Sequence, residues 1–106
     1  MDSNANQDSL SGPALHSWRV RVSGRVQGVY FRAFTQAQAM ARRVRGWVRN
    51  EEDGSVLALL QHEDAAVLER LLDELREGPP MAEVERLEVE GLTGHHEAHE
   101  KFMISR

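Results

Sequence analysis

A short glycine-containing loop is the first feature of this sequence that could do chemistry. It runs from Ser23 to Arg32, with Gly24 and Gly28 inside it, between a segment that alternates like a strand and one that repeats like a helix. Successive backbone N-H groups in such a loop can converge on an anion at the positive end of the following helix. The Gly-Lys-Ser/Thr ending of a nucleotide-binding P-loop is absent. The loop is therefore a candidate phosphate cradle, and a glycine-containing connection without a ligand is the alternative.

Arg32 supplies a cation next to this loop. It falls in the first turn of the predicted helix, where the positive end of the helix dipole disfavours a cation by about 0.3–1 kcal/mol. An anion bound between the helix end and the guanidinium would make this unfavourable interaction energy favourable. A guanidinium stays charged at any working pH, and its planar fork matches two phosphate oxygens. The alternative is an arginine that simply extends into water.

Asn50 is the second candidate side chain. It ends a predicted strand just before a turn, and asparagine is common at turns for conformational reasons alone. Its carboxamide can also donate a hydrogen bond to a water molecule and accept one from it. Asn50 is therefore either a turn residue or a group that places a water.

A strand and a helix must hold the loop. Apolar and polar residues alternate over residues 17–23, which predicts a half-buried strand. Apolar residues then recur at helical spacing through about residue 43, which predicts an amphipathic helix. The predicted apolar face of this helix consists of Phe34, Ala37, Ala41 and Val44. We assign Phe34 and Trp47 to the core.

A hairpin and a second helix follow. Residues 46–50 and 55–61 have strand patterns, and Asp53 and Gly54 between them provide the positive φ that a tight turn needs. Apolar residues at helical spacing then predict a helix over roughly 64–77, which stops at a glycine and two prolines. The apolar stripe of this helix consists of Val67, Leu68, Leu71, Leu72 and Leu75.

Two further strands complete the predicted fold. The alternation over residues 84–89 skips once near Glu85 and Arg86, as a β-bulge requires, and residues 102–104 mark a short last strand. The order of elements predicts a ferredoxin-like α+β sandwich, βαββαβ, with two helices on one face of a mainly antiparallel sheet. The third strand is expected between the first two, which are parallel. The loop and Asn50 then lie two strand spacings apart, about 10 Å.

Two segments of the chain match a known family. Residues 24–32 and residues 46–50, which end at Arg32 and Asn50, resemble the two signature segments of acylphosphatase. The resemblance runs from about Trp18 to Ser105. It implies hydrolysis of acyl phosphates, the mixed carboxylic-phosphoric anhydrides, to a carboxylate and inorganic phosphate, without a metal or another cofactor.

The resemblance also implies roles for individual residues. Arg32 and the backbone amides of the loop bind the phosphate, and Asn50 orients the attacking water. The loop residues are Arg25, Val26, Gln27, Gly28, Val29 and Tyr30. The chain departs from the family pattern at the end of the first helix, where Arg43 stands close to the usual glycine. Because arginine is disfavoured in the left-handed conformation, we expect that helix to end differently.

Composition restricts the partners. The 106 residues fit one domain, residues 17–106, after a polar segment, residues 1–16, that we read as a flexible tail. A net charge of -4 disfavours nucleic acid, and the absence of cysteine excludes disulfides and thiolate chemistry. No segment has the pattern of a signal peptide or a membrane span. We expect a cytoplasmic monomer whose partner is its small-molecule substrate, with no nucleic acid and no membrane.

Three alternatives stay open. A ferredoxin-like sheet can bind single-stranded RNA through exposed aromatic residues, although the RNA-recognition signature is missing. A regulatory domain could keep the phosphate loop without turnover. A metal could bind His95, His96 and His99 together with Glu97 and Glu100. The glycine just before these histidines favours a solvated connection over the helix that would align them.

Overall fold

The computed structural model describes residues 14–93 and 97–105 and contains five strands and two helices in that range. In chain order the elements are β1 (His16–Arg25), α1 (Phe31–Ala41), β2 (Arg45–Asn50), β3 (Val56–His62), α2 (Ala65–Glu77), β4 (Glu83–Leu92) and β5 (Phe102–Ile104). No helix in this described part is long and apolar enough to cross a membrane. Residues 1–13 of the predicted tail lie outside the described residues.

The five strands form one sheet in the order β4-β1-β3-β2-β5. Strand β1 pairs antiparallel with β3 and β4, β2 pairs antiparallel with β3, and β2 pairs parallel with β5. Both helices pack on one face of the sheet. This arrangement confirms the predicted ferredoxin-like α+β sandwich, including the position of β3 between the two parallel strands β1 and β2.

Two local predictions are confirmed in detail. In the second helix, Leu68, Leu71, Leu72 and Leu75 are all buried. The helix begins after Asp64, whose side chain accepts a hydrogen bond from the N-H of Ala66, and it ends at Gly78 with a φ of 72°. In β4, Ser23 pairs with Arg86 and Gly24 with Val84. Glu85 is therefore the extra residue of the predicted bulge.

The buried face of α1 differs from the predicted one. The helix buries Phe31, Thr35 and Ala39, whereas Ala37 and Ala41 are exposed. The helix starts at Phe31, whose ring enters the core, and this large side chain sets the buried row at four-residue intervals. Thr35 can be buried because its hydroxyl donates a 2.9 Å hydrogen bond to the carbonyl oxygen of Phe31.

Trp47 does not lie in the main core. It pairs with Leu59 of the neighbouring strand β3, and the next residue along β2, Val48, pairs with Ala58. Because Val48 and Ala58 face the helices, Trp47 lies on the opposite face of the sheet. There the guanidinium of Arg49 lies 4.8 Å from the ring centroid, a cation-π arrangement that stabilises by about 0.5–1 kcal/mol at an exposed site.

The end of α1 overturns the expectation for Arg43. This residue takes the left-handed conformation, with a φ of 59°. The N-H of Arg43 donates to the carbonyl of Met40, and the N-H of Val44 donates to that of Ala39. This pair of hydrogen bonds is the Schellman motif, which usually has a glycine at this position. The helix keeps the glycine-type ending, and Arg43 bears the strain.

Candidate active site

A cavity of about 410 Å³ lies between the start of α1, the end of β2 and the edge strand β5. Its size is in the range of small-ligand sites. The residues that line it are Val26, Gly28, Tyr30, Phe31, Arg32, Ala33, Asn50 and Ile104. The cavity therefore combines the glycine-containing loop with both side chains that the sequence singled out.

The loop is shorter than the sequence pattern indicated, because β1 continues to Arg25. Val26 and Val29 are buried and anchor it to the core. Between and after these anchors, Gly28 and Tyr30 take positive φ values of 75° and 65°. Glycine takes this conformation freely, whereas Tyr30 has a cost on the order of 1–2 kcal/mol. Such strain persists only where the surrounding structure imposes it.

The first turn of α1 opens onto the cavity without a protein cap. Tyr30 occupies the N-cap position and makes no side-chain hydrogen bond there, and the first turn contains no acidic residue. The first N-H groups of a helix have no partner within the helix, and they carry the positive end of its dipole. This helix terminus is thus a place where an anion is stabilised.

Arg32 is the cation at this helix terminus. Its side chain is partly buried, and it forms no hydrogen bond or ion pair with any residue in the described ranges. Other partly buried arginines behave differently. Arg42 pairs with Glu74 at 3.4 Å, and Arg45 pairs with Glu63 at 2.8 Å. The guanidinium of Arg32 is therefore free to bind a ligand in the cavity.

Asn50 lies at the last position of β2, at the other side of the cavity. Its Oδ1 atom is buried and accepts no hydrogen bond within the described part of the chain. A buried acceptor without a donor costs about 1–3 kcal/mol. The carboxamide is thus not committed to the protein, and a hydrogen-bond donor that entered the site would offset this cost.

Gln27 connects the two halves of the site. Its Nε2 donates to the carbonyl oxygens of Glu51 at 2.8 Å and Ser55 at 2.9 Å. Both acceptors belong to the turn that follows Asn50, so Gln27 fixes the distance between the loop and the end of β2. The family resemblance implies a role only for the backbone amide of Gln27. Its spacing gave no signal of this contact, which arises only when β1 and β3 pair.

The two arginines on the surface beyond Asn50 both form ion pairs. Arg49 contacts Glu51 at 2.7 Å, and Arg21 contacts Asp53 at 3.5 Å. The pKa of Asp53 lies below its usual value, chiefly because the hydroxyl and then the backbone N-H of Ser55 donate to its carboxylate, with a smaller contribution from Arg21. These two arginines are therefore occupied, in contrast to Arg32.

Not all of the predicted phosphate-binding residues line the cavity. Val26, Gly28 and Tyr30 do, as do the two predicted catalytic side chains. The other three take positions outside the lining. These are Arg25 at the end of β1 opposite Glu83, Gln27 in its bridge to the turn, and Val29 in the core.

Among the residues that the structure describes, no group of three or more His, Asp or Glu side chains is placed to bind a metal ion. His95 and His96 lie outside those residues. The backbone N-H of His99 donates to Oε1 of Gln61 at 2.8 Å, and the Nε2 of that glutamine donates to the carbonyl oxygen of Glu97. These contacts attach the segment before β5 to the sheet.

The fold is a small α+β sandwich, and a cavity lined by Arg32, Asn50 and the start of α1 lies at one edge of its sheet. The sequence profile of the Acylphosphatase family matches residues 18–104. An acylphosphatase of Gloeobacter violaceus is 52% identical over 83 residues, which cover 74% of this chain and 85% of the relative. One of Thiobacillus denitrificans is 43% identical over 87 residues, or 82% and 97% of the two chains.

Solved structures agree with the sequence relatives. The crystal structure of acylphosphatase from Bacillus subtilis superimposes with a TM-score of 0.81 at 34% identity, and the match covers 88% of this chain and 100% of that one. The chain belongs to the acylphosphatase family.

Proposed function

We propose that this protein is an enzyme that hydrolyses acyl phosphates to a carboxylate and inorganic phosphate. One observation carries the proposal beyond family membership. Arg32 and Asn50 line one cavity, and neither side chain has a hydrogen-bond or ion-pair partner among the described residues. A phosphate and a water molecule are the two groups that such a pair would hold next to each other.

The phosphate is bound from two sides in this proposal. Backbone N-H groups of the loop residues that line the cavity, Val26, Gly28 and Tyr30, and of the first turn of α1 donate to its oxygens, and the helix dipole favours the negative charge. Arg32 donates from its planar fork to two further oxygens. The unfavourable position of this arginine at a positive helix end becomes favourable when the anion lies between them. Donors fixed in this way also stabilise charge that develops in the transition state.

Asn50 places the attacking water. Its carboxamide holds the water by a hydrogen bond and orients the water oxygen towards phosphorus. The new bond forms between the water oxygen and phosphorus, while the bond from phosphorus to the acyl oxygen breaks and releases the carboxylate. No Asp, Glu or His is among the described residues that line the cavity. The water proton therefore passes to a phosphate oxygen of the substrate.

The proposal includes the absence of a metal. An acyl phosphate already has a good leaving group, so the enzyme has mainly to fix geometry and stabilise charge. It also includes a cytoplasmic monomer with neither nucleic acid nor a membrane as partner. The net charge of -4 disfavours nucleic acid as a partner, and the absence of cysteine suits a reducing compartment such as the cytoplasm.

The test measures hydrolysis of benzoyl phosphate by purified protein in excess chelator. We expect rapid hydrolysis by the wild type and a loss of about 10²–10³ or more in Arg32→Ala. Arg32→Lys should not restore the rate, because an ammonium lacks the planar fork. Arg70→Ala is the matched control, since Arg70 is exposed on α2, outside the cavity.

Three outcomes would contradict the proposal. Hydrolysis that depends on added metal would exclude the metal-free mechanism. Near-normal activity of Arg32→Lys would remove the assigned role of the guanidinium. A folded wild-type protein that binds inorganic phosphate but turns over no acyl phosphate would be a regulatory phosphate-binding domain instead.

A further inference from the structure

Another cavity, of about 570 Å³, lies at the opposite end of α1 from the candidate active site. The end of α1, the start of β2 and the segment that leads into β5 form its walls, and it shares no lining residue with the active-site cavity. We propose that this cavity is a second ligand site, which binds a small amphiphilic anion with an apolar chain and one carboxylate. The proposed hydrolysis does not use this cavity, so the inference does not rest on that function.

Two exposed methionines belong to the apolar lining of this cavity. Met40, on the last turn of α1, is 62% exposed, and Met103, on the edge strand β5, is 49% exposed. Val44 and Phe102, which are buried, complete the apolar lining. Methionine side chains are flexible and polarisable, and they adapt to apolar ligands of varied shape. The cavity can therefore cover a hydrocarbon chain, and its volume is in the range of small-ligand sites.

Two cations without partners line the same cavity. The side chains of Arg43 and Lys101 are exposed and form no hydrogen bond or ion pair with any residue in 14–93 or 97–105. Two other polar side chains of the lining are engaged. Arg45 pairs with Glu63 at 2.8 Å, and Gln36 donates to a backbone carbonyl of β5 at 3.0 Å. Unpaired cations beside an apolar surface complement a ligand that has one anionic group and an apolar chain.

The charges of the lining favour an anion in spite of one acid. Glu100 is the acid among the described lining residues, and it is exposed. It forms no ion pair with Arg43 or Lys101, so two unpaired cations stand against one carboxylate in a chain whose net charge is -4. The local field therefore attracts an anion, and Glu100 weakens this attraction.

The backbone of Arg43 supports a role for its side chain. The residue has a φ of 59° at the end of α1, where glycine would be free of strain. A cation at this end of a helix gains from the helix dipole, but by less than the left-handed conformation costs a residue with a Cβ. The guanidinium forms no hydrogen bond or ion pair in the described part of the chain that would offset the difference. An anionic ligand in the cavity would offset it.

The experiment titrates the full chain with octanoate, 1-octanol and octylammonium, which share one chain length and differ in charge. Calorimetry measures the affinities, and the NMR signals of the methionine methyl groups locate the binding. We expect one octanoate per chain and shifts at Met40 and Met103 but not at Met81, which lies outside the cavity. Octanol should bind about tenfold more weakly, because both ion pairs are lost, and octylammonium more weakly still. Hexanoate lacks two methylene groups and should bind about fifteenfold more weakly than octanoate.

Variants then assign the side chains. Arg43→Gln and Lys101→Gln should each weaken octanoate binding by up to about fivefold and leave octanol binding unchanged. Glu100→Gln should strengthen octanoate binding, since it removes the one repulsive charge. Met40→Gln should weaken octanoate and octanol by the same factor, because both ligands use the apolar lining. All four residues are exposed, so these variants keep the fold.

Three further variants are matched controls. Arg70 is an exposed arginine on α2, and Met81 is 61% exposed, close to the value for Met40, and both lie outside the cavity. Arg70→Gln and Met81→Gln should therefore leave octanoate binding unchanged. Arg32→Ala should also leave it unchanged, which separates this cavity from the candidate active site.

Each outcome supports or overturns the inference. Saturable octanoate binding that Arg43→Gln and Met40→Gln weaken, and that Arg32→Ala retains, supports it. Binding that disappears in Arg32→Ala would place the carboxylate in the candidate active site and would overturn it. Equal affinities for octanoate and octanol overturn the role of the two cations, and absent or non-saturating binding overturns the site. None of these results changes the hydrolysis of benzoyl phosphate, so the proposed function is tested separately.

Discussion

In the proposed mechanism, Asn50 combines the placement of the attacking water with an energetic cost to the folded state. Its Oδ1 is buried without a donor in the described part of the chain, so the side chain is not there to stabilise the fold. We predict that Asn50→Ala lowers kcat for benzoyl phosphate by about 10²–10³. The same variant should be at least as stable as the wild type, because an uncompensated buried acceptor is removed.

Steady-state kinetics and urea unfolding of the same preparation check this pair of effects. An effect confined to KM would mean that Asn50 binds the phosphate instead of placing water. A marked loss of stability would mean that the carboxamide supports the turn. Asn50→Asp is a useful companion, since it keeps the shape and adds a negative charge beside the phosphate.

Residue types made Arg32 and Asn50 candidates and the family resemblance gave them roles, whereas neither indicated a role for the side chain of Gln27. A cation at the start of a helix and an asparagine before a turn are unusual or informative in themselves, so their types carried a signal. The role of the Gln27 side chain depends on carbonyls 24 and 28 positions away in the sequence. Only the pairing of β1 with β3 brings those carbonyls into reach, and no local sequence pattern predicts this contact.

At the scale of elements, the site depends on the contact between the loop and the β2–β3 turn. We predict that Gln27→Glu lowers kcat with every acyl phosphate, because a carboxylate cannot donate to the carbonyls of Glu51 and Ser55. Displacement of Asn50 by about 1 Å costs on the order of 10² in rate. Equal kcat in Gln27→Glu and wild type, in a folded protein, would show that the turn holds its place without this bridge.

The end of α1 offers a stability prediction. Arg43 has a φ of 59° in a Schellman motif, and glycine removes the clash of the Cβ with the backbone. We predict that Arg43→Gly raises the free energy of unfolding by about 1 kcal/mol. Arg42→Gly is the control, because Arg42 has a φ of -108° and pairs with Glu74, so this change should destabilise. Urea denaturation measures both, and a less stable Arg43→Gly would contradict the strain argument.

The two helices show why the sequence predicted one apolar face and missed the other. In α2, four leucines at helical spacing have no competing phase, and all four are buried. In α1, alanines occur around much of the helix, and alanine adds little to either face. The buried face of α1 is set by Phe31, which lies about one turn before the predicted apolar stripe. Large side chains therefore decided the orientation of both helices.

At the scale of the whole molecule, the chain is acidic, and Arg32 at the active-site cavity is a cation without an acidic partner among the described residues. The net charge is -4, yet Arg32 has no acidic partner in the described residues, and the described lining contains no titratable acid or histidine. Catalysis and stability should thus respond to pH in different ranges. We predict a kcat that stays flat from about pH 6 to 8 once substrate ionisation is allowed for.

Stability should fall only on stronger acidification. The pKa of Glu63 is lowered, first by the side-chain hydrogen bond from Arg45, and that of Asp53 is lowered, first by the hydroxyl of Ser55. A carboxyl with a lower pKa in the folded state stabilises above its unfolded pKa, about 4, and this contribution is lost as the pH falls through the folded value. Asp53→Asn keeps an acceptor for Ser55 but cannot titrate. Its unfolding free energy should therefore decline less between about pH 5 and pH 3 than that of the wild type.

The flat kcat profile has its own contrary outcome. A limb in the kcat profile near neutral pH that disappears in His99→Ala would contradict proton transfer to the substrate and would assign a base to the segment before β5.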